Sequence, residues 1–255
     1  MIQIVFVKQV PFSTKVKMDP VTHTLVRSGV RTQVNPYDLH AVRAAIEVKG
    51  HCGGTVVVVT MGPPSAVAVL REAMMHGADE AVLVSDAAFA GSDTWSTSYI
   101  LSMVVRHLGG ADILWFGKQA IDGDTAQVGP GVAAQLNYPQ ITEMNQLIEV
   151  DEHSVTVQKV TDYGYRVVKS GFPVVITVNK EANQLLSPSL NDWLRAENAE
   201  IRTINASSLQ LDMSKVGLSG SPTRVKRIEL PSTKQDIVML TSAHELAQVI
   251  KNLRK

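Results

Sequence analysis

Four times in the first 120 residues the chain passes through a short, almost wholly apolar stretch and then changes to helical spacing. "IQIVFV" (2–7), "TVVVVT" (55–60), "AVLVS" (81–85) and "DILWFG" (112–117) are those stretches. Rich in β-branched residues, they read as strands buried on both faces. A charged, hairpin-like stretch (12–34) separates the first strand from its helix. That helix has Asn35 as N-cap, Pro36 at the first helical position, Leu39, Val42 and Ile46 on one face, and Gly50 just past its end. The next helix carries Val67, Leu70 and Met74 and closes at Gly77; a third, about 94–108, buries Ile100, Leu101, Val104 and Leu108; a fourth ends near Leu136. Strands and helices in strict alternation require crossovers between parallel neighbours. The predicted fold is therefore α/β, a doubly wound and mostly parallel sheet.

After residue 140 the rhythm changes. "QLIEV", "SVTVQKV" and "YRVVKS" alternate between polar turns, as an antiparallel edge hairpin does, and "FPVVITVNK" (172–180) restores a buried run. From 181 onward the chain is polar, with too little clustered apolar surface for a core of its own. It reads as an extended C-terminal arm ending in a helix, about 242–254, with Leu246, Val249, Ile250 and Leu253 on one face. The boundary falls near 183: residues 1–183 form the α/β domain, and 184–255 an arm that wraps a partner.

The 24 basic and 24 acidic residues cancel and form no stripe, which argues against nucleic acid. Cys52 is the only cysteine, so no internal disulfide forms and a reducing, cytoplasmic setting is expected. The opening "MIQIVFVKQV" is charged too early for a signal peptide, and no apolar run reaches the roughly 20 residues of a membrane span. Glycine-rich phosphate motifs and the nucleophile-elbow motif are missing, and the seven histidines are scattered without metal-ligand spacing. Trp95, Trp115 and Trp193 are read first as core residues and second as stacking platforms. The chain looks like a nucleotide binder with no self-contained catalytic residues.

In an open parallel sheet, ligands sit beyond the carboxyl ends of the strands. Here those ends are "VKQVP" (7–11), "TMGPP" (60–64), "SDAAFAGSDT" (85–94) and "GKQAIDGDTAQVGP" (117–130). The last is the most informative. Pro130 would interrupt a helix that began at Asp124, so the helix is expected near Gly129, with Pro130 at its first or second position. Residues 123–129 then form an irregular connection whose amides need partners. Two readings stand. Asp122 and Asp124 bond neighbouring amides in a loop without a ligand, or the amides and the helix dipole hold an anion.

"VKQVP", "NPYD", "VTMGPP", "MHGADEAVLVSD", "AFAGSDTWSTS" and above all "GKQAIDGDTAQVGPGVAAQLNYPQIT" resemble the β subunit of electron transfer flavoproteins, in family order and spacing. The resemblance covers about residues 1–180, and 190–225 more weakly. It implies a heterodimer with an α subunit that carries a redox-active FAD, and electron exchange with an acyl-CoA dehydrogenase-type flavoenzyme. It also implies a nucleotide in β itself: AMP in the housekeeping type, a second FAD in the bifurcating type, where NADH and ferredoxin are the further partners. By matching positions the site comprises Phe6, Lys8, Asn35, Asp38, Thr60, Met61, Gly62, Asp93, Thr94 and Thr97. The run from Gly117 continues it through Gln119, Asp122, Gly123, Asp124, Thr125, Ala126, Gln127, Val128 and Gly129. Leu190 matches the family's docking leucine, although Leu185 and Leu186 replace the Pro-Arg pair expected before it.

Ala126 and Val128 stand where AMP-type subunits tend to carry Asn and Thr. Neither can cap a monophosphate, and with Gly129 they are expected to leave room for a pyrophosphate leading to a flavin. The hydroxyls of Thr94, Ser96, Thr97 and Ser98 are expected to help at the neighbouring helix N-terminus. FAD is thus the expected cofactor, with AMP as the alternative. An ATP-using adenylating α/β enzyme and a non-redox nucleotide sensor are the readings from other classes.

Overall fold

The computed structural model describes residues 1–12, 31–226 and 239–253, so most of the expected charged hairpin lies outside the described residues. The chain opens with β1 (Ile2–Phe6), β2 (Gln9–Pro11), β3 (Thr32–Val34), α1 (Pro36–Cys52), β4 (Thr55–Met61) and α2 (Val67–Met75). It continues with β5 (Glu80–Val84), α3 (Thr94–His107), β6 (Ile113–Gly117), α4 (Val128–Leu136), β7 (Gln140–Val150), β8 (Ser154–Thr161), β9 (Gly164–Gly171) and β10 (Val174–Val178). Then come α5 (Leu190–Asn198), β11 (Ile201–Ile204), the single turn α6 (Gly217–Gly220) and α7 (Ala243–Leu253).

Among the described residues one nine-stranded sheet has the order β11-β5-β4-β1-β6-β10-β7-β8-β9. Pairing is parallel from β11 to β7 and antiparallel through β7, β8 and β9, while β2 and β3 form a separate antiparallel pair. The central strands are apolar at most positions because both faces are covered, and Gln3, Thr60 and Thr177 are buried polar exceptions. Val5, Val58, Trp115 and Ile176 share one core with α1 and α2; Ile4, Val59, Leu114 and Val175 share the other with α3 and α4. Trp115 is core, as its strand position implies, and its Nε1 donates to Gln3 Oε1 at 2.8 Å. Trp95 and Trp193 are not: both are partly exposed on helices. The chain lays β4 and β5 on one side of β1 and then β6 on the other. Strand order therefore reverses between β1 and β6, which is where an open sheet of this kind takes its ligand.

Four local expectations are corrected. Helix α1 runs through Gly50 to Cys52 and ends at Gly53 (φ 68°), because Gly50 fits a helix interior at modest cost while Gly53 supplies the left-handed residue that ends it. Asn35 occupies the N-cap position of α1 without capping, its side chain being engaged elsewhere. Helix α4 starts at Val128, so Pro130 is its third residue, still within the first turn where its missing N–H costs no hydrogen bond. Strand β11 extends the sheet from within the polar stretch, through Ile204 and a parallel pairing with β5.

The chain divides into the units Met1–Arg224 and Val225–Lys255. Helix α5 is fastened to α2 by reciprocal arginines. Arg71 Nη1 donates to the carbonyls of Ala196 and Glu197 (both 2.6 Å), and Arg195 donates to those of Ala78 and Met74 (both 2.7 Å). Each guanidinium thereby satisfies carbonyls at the other helix's C-terminal end, where backbone acceptors lack intrahelical partners. In the second unit, α7 leaves Leu246, Val249 and Ile250 substantially exposed. Among the described residues no helix is long and apolar enough to cross a membrane.

Candidate functional site

Where β1 and β6 end, the residues that follow them are tied together by the first turn of α1. Asp38 is buried and accepts from the backbone N–H of Lys8 (2.8 Å), the backbone N–H of Gly117 (3.1 Å) and Asn35 Nδ2 (2.9 Å). Asn35 Nδ2 also donates to the Gln119 carbonyl at 2.9 Å, and Asn35 Oδ1 accepts from Ile121 N at 3.2 Å. Lys8 Nζ spans the reversal point to both oxygens of Asp122, at 2.7 and 2.9 Å. Gly117 is required by this clamp, since a Cβ there would collide with Asp38 Oδ1 and lie 2.6 Å from Tyr37 Cβ. Phe6 turns its ring inward to stack on Phe116 at 4.5 Å, leaving only its backbone for a ligand.

Burial pushes the Asp38 carboxyl up to about 7, against the opposing pull of the Asn35 side chain and the Lys8 and Gly117 amides. An unfolded chain protonates the same group near 3.8. Folding therefore takes up a proton between these values, and the associated stability is full below about pH 4 and lost as pH rises toward 7. The expected slope is about 1.4 kcal/mol per pH unit. Urea titrations from pH 4.5 to 7 should show it in the wild type relative to Asp38→Asn, a comparison in which the other titrating groups cancel. Parallel curves for the two proteins would contradict the buried-acid assignment.

The loop 118–127 is braced from within. Ala120 O accepts from Gly123 N (3.2 Å) and Asp124 N (2.8 Å), and Gln119 Nε2 donates to Asp124 Oδ1 (2.8 Å). Neither aspartate side chain bonds a neighbouring backbone amide, although the ligand-free reading of this stretch has both doing so; Asp122 serves Lys8 and Asp124 the side-chain amide of Gln119. Asp124 and Ala126 have positive φ (49° and 53°), and Gln127 returns to the right-handed region. Such an alternation of hand curves successive N–H groups toward one concavity, an anion-binding form. Among the described residues the backbone N–H groups of Thr125, Ala126, Gln127, Val128 and Gly129 have no hydrogen-bond partner. They adjoin the N-terminus of α4, whose dipole favours negative charge.

The remaining expected residues fall into three groups. Thr94 Oγ1 donates to Gln127 Oε1 at 2.9 Å, joining the start of α3 to the loop. Asp93 caps α3 and accepts from Thr223, and Thr97 lies within the first turns of α3. Ser96 and Ser98 do not offer free hydroxyls as expected: both are buried and donate to the Lys215 and Thr94 carbonyls. Thr60 and Met61 end β4 and Gly62 follows it, and Thr60 Oγ1 is buried without a hydrogen-bond partner among the described residues. Leu190 is not part of this cluster; it opens α5, largely exposed. Gly129 is buried, and a Cβ there would come within 2.8 Å of Thr177 Cγ2 and 3.3 Å of Phe116, so its smallness serves helix packing rather than ligand room. Glu143 and Thr177, which no sequence motif marked, pack against the two ends of this loop.

No group of three His, Cys, Asp or Glu among the described residues is placed to hold a metal ion. The free donors of the site are thus amides and hydroxyls, with Lys8 already paired. Such a set fits a phosphate or pyrophosphate held by the backbone.

Residues 22–209 match the family model described as the electron transfer flavoprotein domain. Over 257 residues the chain is 43% identical to Protein FixA of Sinorhizobium fredii, covering 98% of this chain and 90% of that one. It is 40% identical over 251 residues to the electron transfer flavoprotein subunit beta of Thermoanaerobacterium thermosaccharolyticum (98% and 95% covered). Against the subunit of the same name from Megasphaera elsdenii the identity is 41% over 254 residues, with 97% and 94% covered.

Proposed function

This chain belongs to the electron transfer flavoprotein family, on its β-subunit side, and from that premise we propose that the cleft between β1 and β6 holds an FAD. The chain then acts as half of an electron carrier completed by an α subunit. The observation that carries the cofactor reading is the curved run of unpartnered amides from Thr125 to Gly129 at the head of α4. The buried, unpartnered Thr60 hydroxyl adds a second donor at the carboxyl edge of the sheet. In this assignment the loop amides take the phosphates, while Asn35, Asp38 and the Lys8–Asp122 pair hold the loop against β1. When bound, a flavin accepts electrons as a pair and releases them singly. NADH as donor, with ferredoxin and an acyl-CoA dehydrogenase-type flavoenzyme as separate acceptors, completes the bifurcating reading. The protein residues bind and orient, and none of them forms or breaks a bond. Leu190, exposed at the head of α5, is the proposed docking point for the dehydrogenase, and residues 184–255 the recognition loop and arm toward the α subunit.

Ala126 and Val128 favour FAD over AMP because neither side chain can cap a terminal phosphate. The packing role of Gly129 removes one reason for the longer ligand and keeps AMP as the second reading. Purification of the α–β pair followed by quantitation of released nucleotide separates them: two FAD per pair supports the first, one FAD with one AMP the second. Ala126→Asn with Val128→Thr is expected to weaken retention of the second FAD by about tenfold. Asn suits the positive φ at 126 better than Ala does, so the double variant should fold normally. Unchanged retention would refute the steric basis of the FAD assignment, and an anaerobic NADH titration that left the flavins oxidised would refute bifurcation.

A further inference from the structure

Within β7, on the far side of β10 from the cleft, one residue is forced into a conformation that its type disfavours. Ile176 pairs with Ile141 but Val178 with Met144, so Thr142 and Glu143 together oppose Thr177 in a bulge. Glu143 takes φ 60°, a left-handed conformation unfavourable for any residue with a Cβ and open to glycine. Its neighbours impose it. Glu143 N donates to Thr177 Oγ1 at 2.9 Å, Asn179 Nδ2 donates to Glu143 O at 3.3 Å, and Asn179 N donates to Met144 O at 2.9 Å.

The bulge re-aims the Glu143 side chain onto Lys118, whose Nζ lies 2.9 Å from Glu143 Oε2. Lys118 is the residue that leads out of β6 into the loop, and its backbone N–H donates to Val178 O at 2.8 Å. The other end of the loop rests on the same place, because Gly129 packs against the methyl of Thr177, the residue whose hydroxyl accepts from Glu143 N. Both ends of the run that carries the free amides are therefore seated on one strained bulge. Strain of this kind persists only where the surroundings over-determine it, and it gathers at functional sites.

We propose that Glu143 is a positioning residue for the cofactor loop: by holding Lys118 it sets where the loop starts and so where the amides from Thr125 to Gly129 point. This rests on the reading of that loop as a nucleotide-phosphate site. Glu143 does not touch the ligand, and it acts through Lys118. With each side chain about one third exposed, the pair is partly screened, and its removal should have a moderate effect.

The α–β pair, stripped of nucleotide, can be titrated calorimetrically with FAD and with AMP. Glu143→Gly, which relieves the backbone, and Glu143→Gln, which keeps its shape, are each expected to weaken the nucleotide that the wild type binds by about tenfold. Glu143→Gly should melt no lower than wild type, so a weaker site would not reflect a weaker fold. Lys118→Met should give a similar loss, and Glu143→Gln added to it should give none further. Unchanged affinity in the Glu143 variants, or independent losses in the double variant, would overturn the proposal. So would tighter binding, because a released Lys118 would then be meeting the phosphate directly. A wild-type pair that binds neither nucleotide would instead remove the cofactor site itself.

Discussion

Replacing Asp38 with alanine is expected to destabilise the α/β unit by about 4 kcal/mol and to lower its melting temperature by about 10 °C. The carboxylate is the common acceptor of the Lys8 and Gly117 amides and of Asn35 Nδ2, and the Asp38 and Asn35 side chains are themselves buried. Its loss leaves buried donors unpaired, at about 1–3 kcal/mol each, and opens a small cavity besides. Asp38→Asn should fall between, since one amide oxygen cannot serve all three donors. The variants should also release nucleotide, because β1 and β6 are no longer tied at the cleft. Differential scanning of the α–β pair would read the stability change. A shift of less than about 1 kcal/mol for Asp38→Ala would mean that water reaches the clamp.

Gly117→Ala attacks the same clamp from the other strand. Its Cβ would collide with Asp38 Oδ1 and stand 2.6 Å from Tyr37 Cβ and 2.8 Å from the Tyr37 carbonyl carbon. The last is backbone at the start of α1 and cannot rotate away, so β6 or α1 must shift. Overpacking of this kind costs about 1–3 kcal/mol, and here the displaced atom is also a hydrogen-bond acceptor, which places the expectation near 3 kcal/mol. Gly50→Ala is the informative control. That position lies inside α1 with open space around it, and alanine should stabilise it by up to about 1 kcal/mol. Equal and small effects at the two glycines would show that α1 is not packed as closely on β6 as the structure has it.

Much of the architecture was legible because burial on two faces leaves an unmistakable pattern. The runs at β1, β4, β5 and β6 admit few polar residues, and each is followed by one-sided helical spacing. Strand β11 was not legible. It is an edge strand of four residues with two exposed positions, and its identity comes from pairing with β5 rather than from its own composition. The cleft shows the same division. Loop chemistry at 117–130 could be read from Pro130 and the small residues, but the ion pair between Lys8 and Asp122 joins positions whose proximity only the strand order creates. Gly129 was misread because a glycine beside a phosphate loop and a glycine under a helix look alike until Thr177 and Phe116 are in place. Glu143 carried no signal at all, since its strain comes from a register slip and not from a motif.

Among the described residues, the two lysines Lys8 and Lys118 that flank the cleft loop are each paired with a carboxylate, Lys8 with Asp122 and Lys118 with Glu143. Charges matched in this way cancel at a distance. An approaching nucleotide would feel no long-range field from these lysines, and its encounter would be paced by diffusion with little sensitivity to ionic strength. Recognition would begin only when phosphate oxygens reach the amides, whose partial charges act over a few ångströms. A site of that kind discriminates by shape and by the direction of its N–H groups, and it would stay indifferent to the many simple anions that pass it.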